Sequence, residues 1–159
     1  NNVDKPAELR YATNWSGSWQ IVEIGDDLME TAYWGNSSLA LGAGGEVHVS
    51  FYGRDKNLCY ATNSSGMWQV FVIDSEGDVG RDNSIALDSD GYIHMSYRDH
   101  ANDVLKYATN RSGAWEALEI DTALVGGTSV VTDSEGYVHI VYSSEDYELR
   151  YATNRPPEE

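Results

Sequence analysis

Apolar and polar positions alternate with period two along this chain, and no stretch repeats at helical spacing. The clearest run is Tyr92-Ile93-His94-Met95-Ser96-Tyr97, the pattern of a half-buried strand. A short apolar run, Asn83 to Asp88, precedes it across the turn Asp88-Ser89-Asp90-Gly91. A polar loop, Arg98 to Asp103, follows and leads into Leu105-Lys106-Tyr107-Ala108-Thr109. The turn Asn110-Arg111-Ser112-Gly113 then delivers Trp115 to Ile120. Runs of this length bounded by Gly, Asn and Asp predict four antiparallel strands, A to D in order.

The same unit recurs. Its third strand and the turn after it are written Leu9-Arg10-Tyr11-Ala12-Thr13-Asn14, Leu58-Cys59-Tyr60-Ala61-Thr62-Asn63, Leu105-Lys106-Tyr107-Ala108-Thr109-Asn110 and Leu149-Arg150-Tyr151-Ala152-Thr153-Asn154. A four-stranded unit repeating at roughly 45–50 residues predicts an all-β propeller of radially arranged antiparallel blades. The frame gives a split blade at 9–25, complete blades at 36–73 and 83–120, and a partial blade at 128–154. Residues 1–8 form an extension and 155–159 a tail. The chain opens with strands C and D and closes with A, B and C, about three blades' worth. Known rings start at about four blades, so either a longer protein or a second copy completes this one. Two copies give six blades, with the split blade made by strand exchange. The surplus strand C could instead support an open-ended structural polymer.

The 159 residues carry a formal charge of −16 and a pI near 4.3. Such acidity excludes nucleic acid and anionic membrane surfaces as partners and suits a secreted or extracellular protein. No apolar run approaches the length of a membrane span. Cys59 is the one cysteine and stands where the other copies have Arg10, Lys106 and Arg150. That equivalence predicts an exposed thiol with no special chemistry.

Most motifs read as scaffold. Thr-Asn-x-Ser-Gly-x-Trp, at 13–19, 62–68 and 109–115, supplies turn conformations and then a large apolar plug for the gap between blades. It contains glycosylation sequons at Asn14, Asn63 and Asn110, with another at Asn36, but recurrence at a hairpin tip favours the structural reading. Asp88-Ser89-Asp90-Gly91 and Asp133-Ser134-Glu135-Gly136 resemble fragments of calcium loops but lack the remaining oxygen ligands, so A–B hairpin turns are the better reading. Calcium stays the alternative, with no other cofactor expected. His48, His94 and His139 recur in strand B. Radial symmetry places them on separate blades, which predicts buried, hydrogen-bonded imidazoles and no shared metal.

The copies differ most in the D–A connections (25–36, 74–83, 121–127) and the B–C loops (53–57, 98–103, 143–146), which alternating strand direction gathers on one face at the channel mouth. Variable loops on a rigid scaffold are where binding and catalysis concentrate. The candidate ligand-binding residues are Tyr33, Trp34, Arg54, Arg81, Asp82, Arg98, Asp99 and His100. Aromatic rings stack on sugars, and Arg beside Asp holds polar or carboxylate groups.

Tyr-Ala-Thr-Asn-x-Ser-Gly-x-Trp, together with Ser84 to Tyr97 (Ser-Ile-Ala-Leu-Asp-Ser-Asp-Gly-Tyr-Ile-His-Met-Ser-Tyr), resembles repeats of secreted microbial β-propellers of the broad sialidase-like, BNR-type group. The resemblance covers Leu9 to Asn154. The Asp-box Ser-x-Asp-x-Gly-x-Thr-Trp of true sialidases is not matched, and no sialidase arginine triad is visible. Relatives implied by the resemblance include lectin-like binders and polysaccharide lyases. With no nucleophile motif, metal cluster or phosphate loop, the residues favour a non-catalytic carbohydrate- or protein-binding module. The alternative is a polysaccharide-active enzyme. It would be a glycosidase using Asp82 and Asp99, or a lyase with His100 or Tyr33 as base.

Overall fold

The computed structural model describes residues 9–24, 37–122, 124–144 and 146–157. Every regular element among them is a strand. In order they are β1 (Leu9–Thr13), β2 (Gln20–Ile24), β3 (Ser37–Leu41), β4 (Val47–Tyr52), β5 (Leu58–Thr62), β6 (Gln69–Asp74) and β7 (Val79–Leu87). There follow β8 (Ile93–Asp99), β9 (Val104–Thr109), β10 (Glu116–Asp121), β11 (Leu124–Thr132), β12 (Val138–Ser144) and β13 (Leu149–Thr153). They form four antiparallel sheets in chain order: β1-β2, β3 to β6, β7 to β10, and β11 to β13. The chain is therefore a β-propeller segment. Two complete blades lie between a C–D hairpin and an A–B–C sheet.

The innermost strands β7 and β11 begin earlier than the expected Asn83 and Thr128. Bulges explain the difference, because pairing of β7 with β8 shifts register on either side of Arg81. Gly80 at φ 99° and Asp82 at φ 50° supply the left-handed backbone these shifts require. The D–A connection is thus drawn into the ladder instead of standing off as a loop.

Period-two alternation gives each blade two apolar faces, and the blades stack through them. Leu58 and Tyr60 of β5 meet Ile85, Met95 and Tyr97 of the next blade, and Leu105 and Tyr107 of β9 meet Val130, Ile140 and Tyr142 of the one after. Leu9 and Tyr11 of the hairpin meet Val47, Val49 and Phe51 in the same way. Burying each leucine contributes about 2 kcal/mol. The repeated tryptophans close the outer gap: Trp68 lies over Tyr11 (centroids 5.9 Å apart) and Trp115 over Tyr60 (5.5 Å). Nearer the axis, Ser38 Oγ accepts from the Ile85 amide at 3.3 Å and Ser84 Oγ from the Val130 amide at 3.1 Å.

The asparagine of the repeated turn is a fastener. The side-chain oxygens of Asn63, Asn110 and Asn154 accept from the amides of Val47 (2.7 Å), Ile93 (2.8 Å) and Val138 (2.8 Å), starting strand B of each blade. The histidines are fasteners too, each bonded through Nδ1 to the tyrosine hydroxyl on its own strand C: Tyr60, Tyr107 and Tyr151. One expectation fails. Cys59 is buried, not exposed, because its position faces the neighbouring blade. Burial, with Asp55 nearby, pushes its thiol up to about 11, so the thiol stays protonated at neutral pH.

Candidate functional site

The D–A connection between the two complete blades is sewn into both neighbouring B–C loops. The Val79 amide donates to the Lys56 carbonyl at 2.9 Å, and the His100 amide to the Asp78 carbonyl at 2.8 Å. Both loop sets therefore share one rim, as strand direction predicts. Gly80 makes the approach close enough: a Cβ there would lie 2.7 Å from Leu58 Cα.

Asp78 organises this rim. Its carboxylate accepts from Tyr52 Oη at 2.7 Å and from Arg81 through Nε (3.1 Å) and Nη2 (2.9 Å). Lys56 Nζ stands 3.7 Å away, and the Arg81 guanidinium lies 5.4 Å above the Tyr52 ring. Burial works to raise the Asp78 carboxyl, but bonds from Tyr52 and Arg81 outweigh it and hold the group below the ordinary carboxylate range. Arg81 is thereby fixed in position.

Directly across the ladder from Arg81 sits Arg98. Like charges at opposed positions repel, and here each has a carboxylate: Asp78 for Arg81, Asp103 for Arg98. Asp82 follows Arg81 in β7. His100 is exposed one residue past the end of β8, and Arg54 is exposed on the neighbouring B–C loop. Five of the eight candidates thus cluster around one β7–β8 end, with Arg54 on the adjoining loop. Asp99 has a structural task. It is buried, its Oδ1 accepts from the Ala101 and Asn102 amides (3.0 and 3.2 Å), and its Oδ2 accepts from Asn102 Nδ2 at 2.9 Å. Tyr33 and Trp34 lie outside the described residues.

A second set of groups, not anticipated from sequence, clamps successive blades near this rim. Asp74, ending β6, accepts from Tyr97 Oη at 2.7 Å and pairs with Lys106 of the next blade. Asp121, ending β10, accepts from Tyr142 Oη at 2.6 Å and from Arg150 Nη1 at 3.1 Å. Burial drives the Tyr97 hydroxyl well above the usual phenol range, with Asp74 adding to it, so it stays protonated as a donor. The signal was present: Asp ending strand D, Tyr in strand B and a cation in strand C recur together at 74/97/106 and 121/142/150. The first complete blade breaks the pattern with Cys59, and its Tyr52 turns to Asp78.

On the A–B turns Asp88 and Asp133 already have partners. Asp88 Oδ1 accepts from the Asp90 and Tyr92 amides (3.0 and 2.9 Å), and its Oδ2 lies 3.2 Å from His94 Nε2. A carboxylate only accepts, so Nε2 carries the proton and Nδ1 accepts from Tyr107. Burial lowers the His94 pKa, against the pull of Asp88. Among the described residues no three His, Cys, Asp or Glu side chains are grouped to hold a metal ion.

By sequence the chain matches no protein-family model and no curated protein. By structure it is similar to the lectin of Aleuria aurantia, solved with alpha-methyl-L-fucoside, at TM-score 0.73 and 14% identity over 93% of this chain and 48% of the lectin. A second structure of that lectin is described as a six-bladed β-propeller. The Arthrobotrys oligospora protein AofleA aligns at TM-score 0.68 and 16% identity, covering 93% of this chain and 47% of that one. The intramolecular trans-sialidase of Ruminococcus gnavus aligns at TM-score 0.57 and 13% identity, covering 94% and 37%. These likenesses establish the β-propeller and no narrower group such as the BNR type. The chain spans about half the length of the Aleuria aurantia lectin and of AofleA.

Proposed function

We propose that the protein is a non-catalytic, carbohydrate-binding β-propeller that works as a homodimer, with its sugar sites on the loop rim. The observation that carries the reading is the pair Arg81 and Arg98, opposed on one ladder position of a chain with net charge −16. Two basic groups kept together there, with Asp82 and His100 beside them, suit an electron-rich ligand with vicinal oxygens. Arg81 is held by Asp78 through Nε and Nη2, so its remaining N–H edge would meet adjacent hydroxyls or a sugar carboxylate, and Tyr33 and Trp34 would supply the stacking face. Solved neighbours bound to fucosides support a sugar as ligand.

The engagement of Asp99 weighs against a glycosidase, which needs two carboxylates free to act across the scissile bond. The alignment of the chain with about half of a six-bladed propeller lectin supports a second copy as the other half. A glycan array probed with the intact protein should identify sugar ligands. Arg98→Ala should weaken binding of the best ligand roughly tenfold, read by calorimetry, with circular dichroism unchanged. Depolymerisation of an acidic polysaccharide, abolished by His100→Ala, would replace this reading with the lyase.

A further inference from the structure

The two outer faces of this segment are unfinished versions of its own inner junctions. Leu39 of β3 is 55% exposed, whereas the residue at the same place in the next blade, Ile85, is 5% exposed under its neighbour. Trp19 precedes β2 as Trp68 precedes β6 and Trp115 precedes β10, yet it is 71% exposed while the other two cover a tyrosine of the adjoining blade. Among the described residues no tryptophan lies over the third tyrosine of that series, Tyr107. Instead it lines an open groove of about 200 Å³ with Leu118, Ile120, Val138 and Ile140. That space admits an indole.

We propose that the groove over Tyr107 receives Trp19 of a second copy, and that β1 of that copy takes the place of β13 on β12. The inference rests on the homodimer reading above and specifies its junction. Residues 9–14 and 149–154 are the same hexapeptide, Leu-Arg-Tyr-Ala-Thr-Asn. Strand replacement therefore recreates each contact that β13 makes. Tyr11 meets His139 as Tyr151 does, Arg10 meets Asp121 as Arg150 does, and Asn14 accepts from the Val138 amide as Asn154 does. Backbone hydrogen bonds balance, and the gain lies in the side chains that the hairpin brings.

Of the two identical strands, β13 is the one to leave. Leu9 is buried against the first complete blade and Tyr11 packs with Trp68, so peeling β1 from its place forfeits that core. Leu149 and Tyr151 are 79% and 59% exposed, so β13 abandons little on that face. The hairpin enters as a unit, its 14–19 turn intact. Ile21 and Trp19 cover Tyr107 and Ile120, and Ser129 Oγ meets the partner's Leu39 amide, repeating the bonds at Ser38 and Ser84. Two such head-to-tail junctions close a six-bladed ring, with β13 acting as a placeholder that shields the slot before assembly.

The test compares wild type, Trp19→Ala/Ile21→Asp and Leu149→Asp by light scattering coupled to size exclusion, with circular dichroism to confirm folding. All substituted side chains are exposed in the single chain. A dimeric wild type, a Trp19→Ala/Ile21→Asp variant weakened roughly thirtyfold or more per junction, and a Leu149→Asp variant still dimeric would support the junction. If Leu149→Asp dissociates the dimer, β13 stays in the ring, buried like Leu58, and strand replacement is overturned while the dimer stands. A dimer indifferent to Trp19→Ala/Ile21→Asp overturns the groove as the receptor. A wild type that stays monomeric overturns the homodimer itself.

Discussion

Replacing Lys106 with methionine isolates what holds successive blades in register. Methionine keeps the length and apolar stem of lysine and removes the charge. Lys106 and Asp74 are both buried, with side chains 10% and 4% exposed, so the variant leaves a carboxylate inside the protein without its counter-charge. Breaking a buried pair in this way typically costs 3–5 kcal/mol. Asp74 still accepts from Tyr97 and from the Glu76 amide, which places the expected loss at the low end, about 3 kcal/mol. In a domain of this size that lowers Tm by on the order of 10 °C.

The pH dependence has a definite sign. In the wild type burial works to raise the Asp74 pKa, but Lys106, the Glu76 amide and Tyr97 lower it below the ordinary value. Asp74 therefore contributes stability above the unfolded carboxyl's range, and the contribution disappears as pH falls through the folded value. In Lys106→Met the ammonium is gone and burial dominates. The folded pKa should then rise from its wild-type value, which removes stability that the wild type holds at neutral pH. The stability gap between the two proteins should be widest near pH 7, narrow as pH falls, and close only below the ordinary carboxylate range, where the wild-type carboxyl itself takes up a proton. Urea unfolding at fixed protein concentration, at several pH values, measures it, with exposed Arg155→Met as a control expected within about 0.5 kcal/mol. A gap below about 1 kcal/mol at pH 7, or one that does not change with pH, would refute the reasoning.

Other outcomes follow from the same geometry. Trp115→Ala should destabilise the fold by about 3 kcal/mol in chemical denaturation, since the ring fills the gap over Tyr60. Trp34→Ala should weaken sugar binding several-fold in calorimetry without unfolding the blades, because loss of a stacking face is worth on the order of 1 kcal/mol. Gly80→Ala should cost more than about 2 kcal/mol in urea unfolding, combining positive-φ strain with a Cβ placed against the Leu58 backbone. Cys59 should resist a thiol reagent at pH 8 until denaturant is added, since its thiol is buried and its pKa raised. His94→Gln should flatten any loss of stability as pH falls below the ordinary histidine value of about 6.5. The folded His94 pKa is depressed, so its contribution holds above the unfolded value and falls away as the ring is driven to protonate.

By itself the sequence determined the unit. Period-two alternation, Gly- and Asn-bearing turns and four copies of one hexapeptide frame specify strands and blades because each is a local requirement, met within a few residues. It also marked the recurrent tryptophans and histidines as scaffold, and Trp68, Trp115, His48 and His94 fill that role. Tertiary structure decided what depends on the neighbouring blade. Cys59 looked exposed from its basic counterparts, but strand C's second position faces the adjoining blade, where Lys106 meets Asp74. Asp99, a candidate for ligand contact, closes its own loop, and Asp78, absent from the candidates, fixes Arg81. Pairings between residues some 20 to 45 positions apart leave no periodic trace in a chain. They come into contact only when blades stack, which is why the strands and the place of the rim could be read from the repeat and the pairings at the rim could not.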